Sequence, residues 1–224
     1  MRDLQQDPLA IERAGENFGG PSGNPPPPPP PSCTPPWKTE NTPMLSDIER
    51  VLISRQQIAQ RVGEIAQQIT ADHAGGEITI VPVMTGAMIF CGDLIRQIPI
   101  AMKIGLLTVS SYPGASLQSR GPQILGGQNV EVRDRHVLLV DDVLDSGKTI
   151  GLVSPLLRNS GAAAVKVCVL LRKDRPAARA VKVDYVGFDI PDEFVVGYGL
   201  DFNDYYRNLP DIVTLKRSIT GQGS

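Results

Sequence analysis

Short runs of Val, Ile and Leu alternate with helix-like stretches along most of this chain, and this alternation constrains its fold most strongly. Nearly continuous apolar runs are typical of strands that are buried on both faces, because helices cover both sides of a parallel sheet. The runs are Ile78 to Met84, Ile104 to Ser111, His136 to Val140, Val165 to Leu171 and Tyr185 to Ile190. The pattern predicts right-handed βαβ crossovers and an α/β fold with a parallel sheet.

Apolar spacing and a capping signal predict the helices that cover this sheet. Ser54 and Gln57 have the spacing of a capping box at a helix start. Apolar residues then recur at helical intervals, namely Ile58, Val62, Ile65 and Ile69. This helix is expected to end near Gly75, and further helices are expected over Ala87 to Ile98 and Lys148 to Asn159.

Residues 1–43 differ from the rest of the chain in composition. They contain 12 of the 20 prolines, including an unbroken run from Pro25 to Pro31, and they lack apolar periodicity. Such a segment cannot bury enough apolar surface to offset the loss of chain entropy. We therefore predict a disordered tail over 1–43 and one domain over 44–224. Two alternatives stay open: the proline run docks in an aromatic groove, or translation starts at Met44.

Charge, hydropathy and cysteine content exclude several classes of function. The chain has 22 Lys and Arg against 24 Asp and Glu, so it lacks the excess positive charge of a general nucleic-acid binder. Its apolar stretches are far shorter than the ~20 residues that span a bilayer. Three cysteines are too few for a disulfide framework, and no secretory signal is visible. These features predict a cytoplasmic protein without nucleic-acid or membrane partners.

The segment from His136 to Thr149 gives the most direct indication of chemistry. A strand-like run leads into Asp141 and Asp142, and Gly147 follows in a short loop before a predicted helix. Ligands of open α/β sheets bind beyond the carboxyl ends of the strands, where a helix N-terminus offers unpaired N–H groups to phosphate. We therefore expect the loop from Asp145 to Thr149 to hold a phosphate. The two carboxylates are suited to the vicinal hydroxyls of a ribose.

The end of this segment, Gly147-Lys148-Thr149, resembles the end of an ATP-binding Walker A loop. That loop needs a glycine five positions before Gly147, and the residue there is Asp142. Adjacent carboxylates would also repel a triphosphate. The sequence therefore argues against an ATP-type loop and favours a ribose 5-phosphate.

Four further segments accompany this motif in a characteristic order: Val83-Met-Thr-Gly-Ala87, Ser111-Tyr112, Leu170-Leu-Arg-Lys173, and Asp184 to Leu209 with Phe194 to Asp201 inside it. Together the five resemble the type I phosphoribosyltransferases, and specifically the hypoxanthine-guanine phosphoribosyltransferases. The resemblance covers almost all of residues 46–215 and none of the tail. It implies a mostly parallel central sheet flanked by helices, a small hood and a mobile lid loop.

The resemblance also implies an activity in purine salvage. A 5-phosphoribosyl group would pass from phosphoribosyl pyrophosphate to hypoxanthine or guanine, giving IMP or GMP and pyrophosphate. It implies Mg²⁺ as cofactor and a homodimer or homotetramer as the assembly. The choice among hypoxanthine, guanine and xanthine, and between the two assemblies, stays open.

Residue roles follow from the resemblance, position by position. The implied general base, which takes the proton at purine N7, is Asp145. The implied ribose and phosphate contacts are Asp141, Asp142, Ser146, Gly147, Lys148 and Thr149. The implied purine contacts are Lys173 at O6, Phe194 stacking on the base and the carbonyl of Val195. The implied pyrophosphate and lid residues are Thr85, Gly86, Ser111, Tyr112 and Arg207. The implied metal ligands are Asp201, Asp141 and Asp142.

Several of these residues also have an ordinary structural interpretation. Asp145 is suited to be a helix N-cap, and Asp141-Asp142 to be a solvated turn pair. Lys173 is equally compatible with a surface lysine, and Phe194 with a core residue. Thr85 departs from the family pattern, which often has lysine at this position, so the strength of pyrophosphate binding is in question.

Three other functions compete with this interpretation. One is an RNA-binding regulator of a pyrimidine operon with the same fold, which would need a basic face. Another is a transferase for pyrimidines or adenine, which would not need both Asp145 and Lys173. The third is a non-catalytic oligomer, and it is weakened because every implied catalytic position except Thr85 is filled.

Overall fold

The structure, a computed structural model, describes residues 43–110, 123–128 and 131–221. The strands are β1 (Ile48–Ile53), β2 (Ile78–Met84), β3 (Met102–Ile104), β4 (Leu106–Ser110), β5 (Gln123–Gln128), β6 (His136–Leu144), β7 (Ala164–Lys173), β8 (Tyr185–Ile190) and β9 (Ile212–Leu215). The helices are α1 (Pro43–Ser46), α2 (Arg55–Asp72), α3 (Met88–Ile95), α4 (Lys148–Asn159), α5 (Pro176–Arg179) and α6 (Arg217–Thr220). Residues 1–42 of the predicted tail and the predicted lid residues Ser111 and Tyr112 lie outside the described residues, whereas Pro43, the last residue of the predicted tail, begins α1.

A seven-stranded sheet lies at the centre of the described region. Its strand order is β5-β4-β2-β6-β7-β8, and β3 also pairs with β2. β4 and β5 are antiparallel, whereas the pairings of β2 with β3, β4 and β6, of β6 with β7, and of β7 with β8 are parallel. The sequence prediction of a mostly parallel sheet is therefore confirmed.

Both faces of this sheet are covered by helices, as the continuous apolar runs predicted. Along β6, Leu138 and Val140 join a core cluster with residues of α2 and α3. Val137 and Leu139 join the opposite cluster, which contains residues of α4 and α5. Successive side chains of a strand point to opposite faces, so β6 contributes side chains to both core clusters. This covering leaves the strand ends as the accessible edge of the sheet.

Helix α2 begins where the capping signal predicts. The Ser54 hydroxyl accepts a hydrogen bond from the Gln57 N–H (3.4 Å), and the Gln57 side chain accepts one from the Ser54 N–H (2.9 Å). The predicted apolar face is buried, and it comprises Ile58, Val62, Ile65 and Ile69. The helix ends at Asp72, slightly before the predicted Gly75. No helix within the described ranges is long and apolar enough to span a membrane.

A second, two-stranded sheet pairs β1 with β9 in antiparallel register. Val213 of β9 also bridges to Val196, and both are buried in a small separate core cluster with Leu209 and Leu215. Sequence patterns did not single out either strand. We identify this small sheet with the hood that the family resemblance implies.

Three of the predicted strands have different bounds in the structure. β7 (Ala164–Lys173) extends past both ends of the predicted run from Val165 to Leu171. β6 continues past Val140 to Leu144, because its backbone stays paired with β7 as far as Leu144 and Arg172. Backbone pairing does not require apolar side chains, so the two carboxylates did not end the strand. The predicted run from Ile104 to Ser111 contains the last residue of β3 and then β4, and Gly105 separates these two strands.

Candidate active site

The predicted site residues gather at the carboxyl edge of the parallel sheet. Thr85 and Gly86 follow β2, the acidic pair lies near the end of β6, and Lys173 is the last residue of β7. Asp192 to Val195 come shortly after β8. Because these strands are parallel neighbours, their carboxyl ends meet at the same edge, where open α/β sheets bind ligands.

Asp141 and Asp142 are part of strand β6, and Asp141 is only 6% exposed. This burial contradicts the alternative of a solvated turn pair. Asp141 Oδ1 accepts from the Asp142 N–H (3.1 Å), and Asp142 Oδ1 accepts from the Val143 N–H (2.8 Å). Burial raises the pKa of both carboxyl groups, and the charge of Asp142 raises the pKa of Asp141 further. Such poorly solvated oxygens favour a hydroxyl donor or a cation.

Gly86 packs directly against this carboxylate pair. A Cβ atom built on Gly86 would lie 2.0 Å from Asp142 Oδ2. On the other side, Gly199 has a φ of +103°, and a Cβ atom there would lie 2.3 Å from the Gly86 carbonyl oxygen. The loop after β2 is thus in close contact with β6 and with the turn at Gly199, and neither glycine position has room for a side chain.

Arg207 joins the turn at Gly199 to an acidic loop. Its guanidinium donates to the Gly199 carbonyl (2.8 Å) and forms ion pairs with Asp201 (2.9 Å) and Asp204 (3.1 Å). Asp201 also accepts a hydrogen bond from the Asp204 N–H (2.9 Å). The structure therefore brings Arg207 and Asp201 together beside the turn at Gly199, which contacts Gly86.

The backbone around these residues is strained. Non-glycine residues with φ between +51° and +70° are Tyr198, Asn203, Asp204 and Tyr206. Positive φ is uncommon outside glycine and costs of order 1 to 3 kcal/mol for each residue. Strain of this kind clusters at functional sites, so this segment has the character of a binding loop.

The loop after β6 opens helix α4 without a side-chain cap. Gly147, with a left-handed φ of 73°, occupies the N-cap position. The carboxylate of Asp145 instead pairs with the guanidinium of Arg175. The capping interpretation of Asp145 is therefore wrong. The first turn of α4 has no capping side chain, which suits a phosphate group at that end of the helix.

Arg175 takes part in a chain of ion pairs that links two predicted site residues, Asp145 and Lys173. Its Nε donates to Asp192 Oδ2 (2.6 Å), and Lys173 Nζ lies 3.7 Å from Asp192 Oδ1. Asp145 and Lys173 are thus linked through Arg175 and Asp192. The side chain of Lys173 is only 11% exposed, which argues against an ordinary surface lysine. Sequence reasoning missed Arg175 and Asp192, although both follow strands at the edge where ligands bind.

Phe194 is 40% exposed although it is a large aromatic residue, so it is not a core residue. Its ring contacts Phe202 edge to face, with the ring centroids 5.7 Å apart. The next residue, Val195, is buried. A partly exposed aromatic ring is suited to stack on a planar ligand.

Comparison with known proteins agrees with this geometry. A family model described as a phosphoribosyl transferase domain matches residues 52–203. The hypoxanthine-guanine phosphoribosyltransferase of Bacillus subtilis is 37% identical over 178 residues, which cover 79% of this chain and 98% of that protein. The chain belongs to the hypoxanthine-guanine phosphoribosyltransferase family.

Other members of the family extend the comparison. The structure of a Staphylococcus aureus hypoxanthine phosphoribosyltransferase matches with a TM-score of 0.75 and 35% identity, covering 81% of this chain and 98% of that one. The bifunctional protein TilS/HprT of Listeria innocua is 39% identical over 181 residues, covering 80% of this chain. The chain spans only 28% of that relative's length. Family membership confirms the resemblance seen in sequence and the type I phosphoribosyltransferase fold.

Proposed function

We propose that this member of the hypoxanthine-guanine phosphoribosyltransferase family transfers the 5-phosphoribosyl group of phosphoribosyl pyrophosphate to hypoxanthine or guanine. The observation that carries the proposal is that a carboxylate and a nearly buried ammonium, Asp145 and Lys173, are linked in one charged network through Arg175 and Asp192. These two groups complement the N7 proton and the O6 oxygen of a 6-oxopurine. The partly exposed ring of Phe194 supplies a stacking surface close to Asp192 in the chain.

We assign the ribose 5-phosphate part of phosphoribosyl pyrophosphate to β6 and α4. Asp141 and Asp142 accept hydrogen bonds from the two ribose hydroxyls, which gives these poorly solvated carboxylates donors. The phosphate lies at the uncapped first turn of α4, where backbone N–H groups and the helix dipole favour an anion. The hydroxyl-bearing residues of this loop, Ser146 and Thr149, add further donors.

The reaction requires little covalent work from the protein. A purine nitrogen forms a bond to C1 of the ribose as the bond from C1 to pyrophosphate breaks, through a state with oxocarbenium character. Asp145 accepts the N7 proton, and Lys173 stabilises the negative charge that develops on O6. An ammonium at this position also selects against adenine, whose 6-amino group is itself a donor.

Magnesium is proposed as the cofactor. No group of three or more His, Cys, Asp or Glu side chains is arranged to hold a metal within the described residues. This suits Mg²⁺, which takes few protein ligands where substrate phosphates and water supply the others. The carboxylates that would contribute to this site are Asp141 and Asp142 of β6, together with Asp201, which the structure pairs with Arg207. When bound, Mg²⁺ neutralises charge on the pyrophosphate leaving group.

We also propose a homodimer or homotetramer as the working assembly. Large apolar side chains are exposed on α3, β3 and β4, namely Met88, Ile104 and Leu106. Exposed apolar residues on neighbouring elements support a protein contact. Sedimentation equilibrium distinguishes the two assemblies.

The activity is tested by incubating the full chain with Mg²⁺, phosphoribosyl pyrophosphate and hypoxanthine. We expect IMP and pyrophosphate to appear in equal amounts, and IMP to be absent when Mg²⁺ is chelated. The RNA-binding regulator is tested separately by titrating the protein into pyrimidine-operon leader RNA. RNA binding without IMP formation would favour the regulator over the transferase.

Thr85 provides a prediction about pyrophosphate. Its side chain is exposed in the loop after β2, so a longer side chain is sterically allowed. Thr85→Lys adds a charge, and charge-assisted hydrogen bonds contribute about 1.5 to 3 kcal/mol, with solvent and Mg²⁺ reducing the net effect toward the lower end. We expect the inhibition constant of pyrophosphate to fall roughly tenfold, which corresponds to 1.4 kcal/mol, with base preference unchanged.

The control for this substitution is Thr85→Gln, which lengthens the side chain without adding charge. It should leave pyrophosphate inhibition near the wild-type value. If Thr85→Lys does so too, the side chain at position 85 points away from the ligand and the backbone of Thr85 and Gly86 makes the contact.

A further inference from the structure

Arg175 lies between two loops of the proposed purine site. We propose that Arg175 is a positioning residue, which holds the Asp145 carboxylate through Oδ1 and leaves Oδ2 free to accept the proton from purine N7. The inference rests on the proposed function, because it assigns Asp145 to the base. It names a residue whose role neither the sequence motifs nor the family resemblance indicates.

The guanidinium of Arg175 is anchored at two points. One terminal nitrogen donates to Asp145 Oδ1, and Nε donates to Asp192 Oδ2 (2.6 Å). A guanidinium is planar and rigid, so two contacts from different nitrogens restrict its rotation. Asp192 is held in turn by Lys173. The orientation of the Asp145 carboxylate is thus tied to the residue that is proposed to bind O6.

The backbone of Arg175 is also well defined. Its N–H donates to the carbonyl of Lys173 (2.8 Å), and its own carbonyl accepts from the Arg179 N–H (3.0 Å). Its φ of −126° and ψ of 142° are the extended values that a residue before proline prefers, and Pro176 follows. The backbone at Arg175, two residues after the end of β7, is therefore held in one conformation, and this fixes the position of its Cα–Cβ bond.

This network is poorly placed to serve stability. The side chains of Asp145, Arg175 and Asp192 are each between 40% and 43% exposed. Ion pairs at such exposure contribute little to folding, since water and salt screen them. Asp145 is not a helix cap, so nothing in the capping of α4 orients its carboxylate. We therefore assign the contact with Arg175 to orienting the carboxylate of Asp145, the proposed base.

The charges around Arg175 support the same role. The hydrogen bond from Arg175 lowers the pKa of Asp192, and so does the nearby Lys173. Asp192 therefore stays ionised at neutral pH and keeps its hydrogen bond with Nε of Arg175. A carboxylate accepts several hydrogen bonds, so Asp145 can keep Arg175 on one oxygen while the other accepts from N7.

The test compares steady-state kinetics with hypoxanthine for three variants of the full chain. Arg175→Ala should lower kcat about tenfold, since a misoriented base loses part of its usual 10²- to 10⁴-fold contribution. The KM for phosphoribosyl pyrophosphate should stay within about twofold. Arg175→Lys should recover part of the loss, because an ammonium still reaches one carboxylate. The matched control is Arg179→Ala, which removes an exposed ion pair with Asp174 and should leave kcat unchanged.

A double-mutant cycle separates positioning from other roles. In the Asp145→Asn background, Arg175→Ala should cause no further loss of kcat, since Arg175 acts through Asp145. Fully additive losses would overturn the inference. So would a raised KM for hypoxanthine with unchanged kcat, which would mean that Arg175 binds the base directly. If Arg175→Ala fails to fold, Arg175→Gln takes its place in the cycle.

The outcomes also separate this inference from the proposed function. A wild-type protein that forms no IMP contradicts the proposed function. A fully active wild type whose Arg175 variants are equally active contradicts the positioning role alone.

Discussion

Asp145→Asn is expected to lower kcat for hypoxanthine by about 10²-fold or more, the usual contribution of a positioned general base. Asparagine keeps the shape of the side chain and an acceptor for Arg175, but it cannot take the proton from N7. Because Asp145 is not proposed to hold the ribosyl donor, the KM for phosphoribosyl pyrophosphate should change much less than kcat.

The matched control for this variant is Asp174→Asn. Asp174 is an exposed carboxylate next to Arg175 in the chain, and it pairs with Arg179 rather than with a proposed site residue. Its replacement should leave kcat near the wild-type value. An Asp145→Asn protein that is folded and fully active would show that another group accepts the proton.

Gly86→Ala is expected to lower activity about as much as Asp145→Asn does, but by displacing a binding group rather than by removing a reacting one. The added Cβ atom would lie 2.0 Å from Asp142 Oδ2 and 2.7 Å from its Cγ. Asp142 has little freedom to move away, because its Oδ1 accepts from the Val143 N–H within strand β6. A displacement of about 1 Å in a binding group can cost 10²-fold in rate. We expect kcat/KM for phosphoribosyl pyrophosphate to fall about 10²-fold.

A second glycine serves as the control for steric effects. Gly92 lies in helix α3, and a Cβ atom there would meet nothing within 4 Å. Gly92→Ala should retain full activity and stabilise the protein by about 0.5 to 1 kcal/mol, because alanine favours a helix over glycine. If Gly86→Ala were as active as Gly92→Ala, the loop after β2 would not be in contact with the donor site.

Much of the fold was predictable where local patterns end clearly. The bounds of β2, β8 and α4 match the prediction, because their apolar or helical patterns stop at polar residues or, after β8, at Pro191. The start of α2 was marked by the capping box at Ser54. In contrast, β6 extends into Asp141 and Asp142 because of its pairing with β7, and this pairing is not visible in local hydropathy.

Features that depend on long-range contacts were missed. β1 pairs with β9, and this pairing joins residues as far apart as Ile48 and Leu215. The local sequence around each strand therefore does not reveal its partner. The same reason explains Arg175 and Asp192, which become relevant only when β7 and β8 bring their ends together. The capping interpretation of Asp145 failed because Gly147, in a left-handed conformation, occupies the N-cap position two residues further on. Helix α4 therefore begins at Lys148.

The most direct test of the proposed chemistry is the selectivity of turnover among bases. Release of pyrophosphate would be measured with hypoxanthine, guanine, xanthine, adenine and uracil under identical conditions. Asp145 as an acceptor facing N7 and Lys173 as a donor facing O6 predict that hypoxanthine and guanine are turned over. Turnover of adenine should not exceed background. Equal turnover of adenine or uracil would contradict the assignment of Asp145 and Lys173 to a 6-oxopurine.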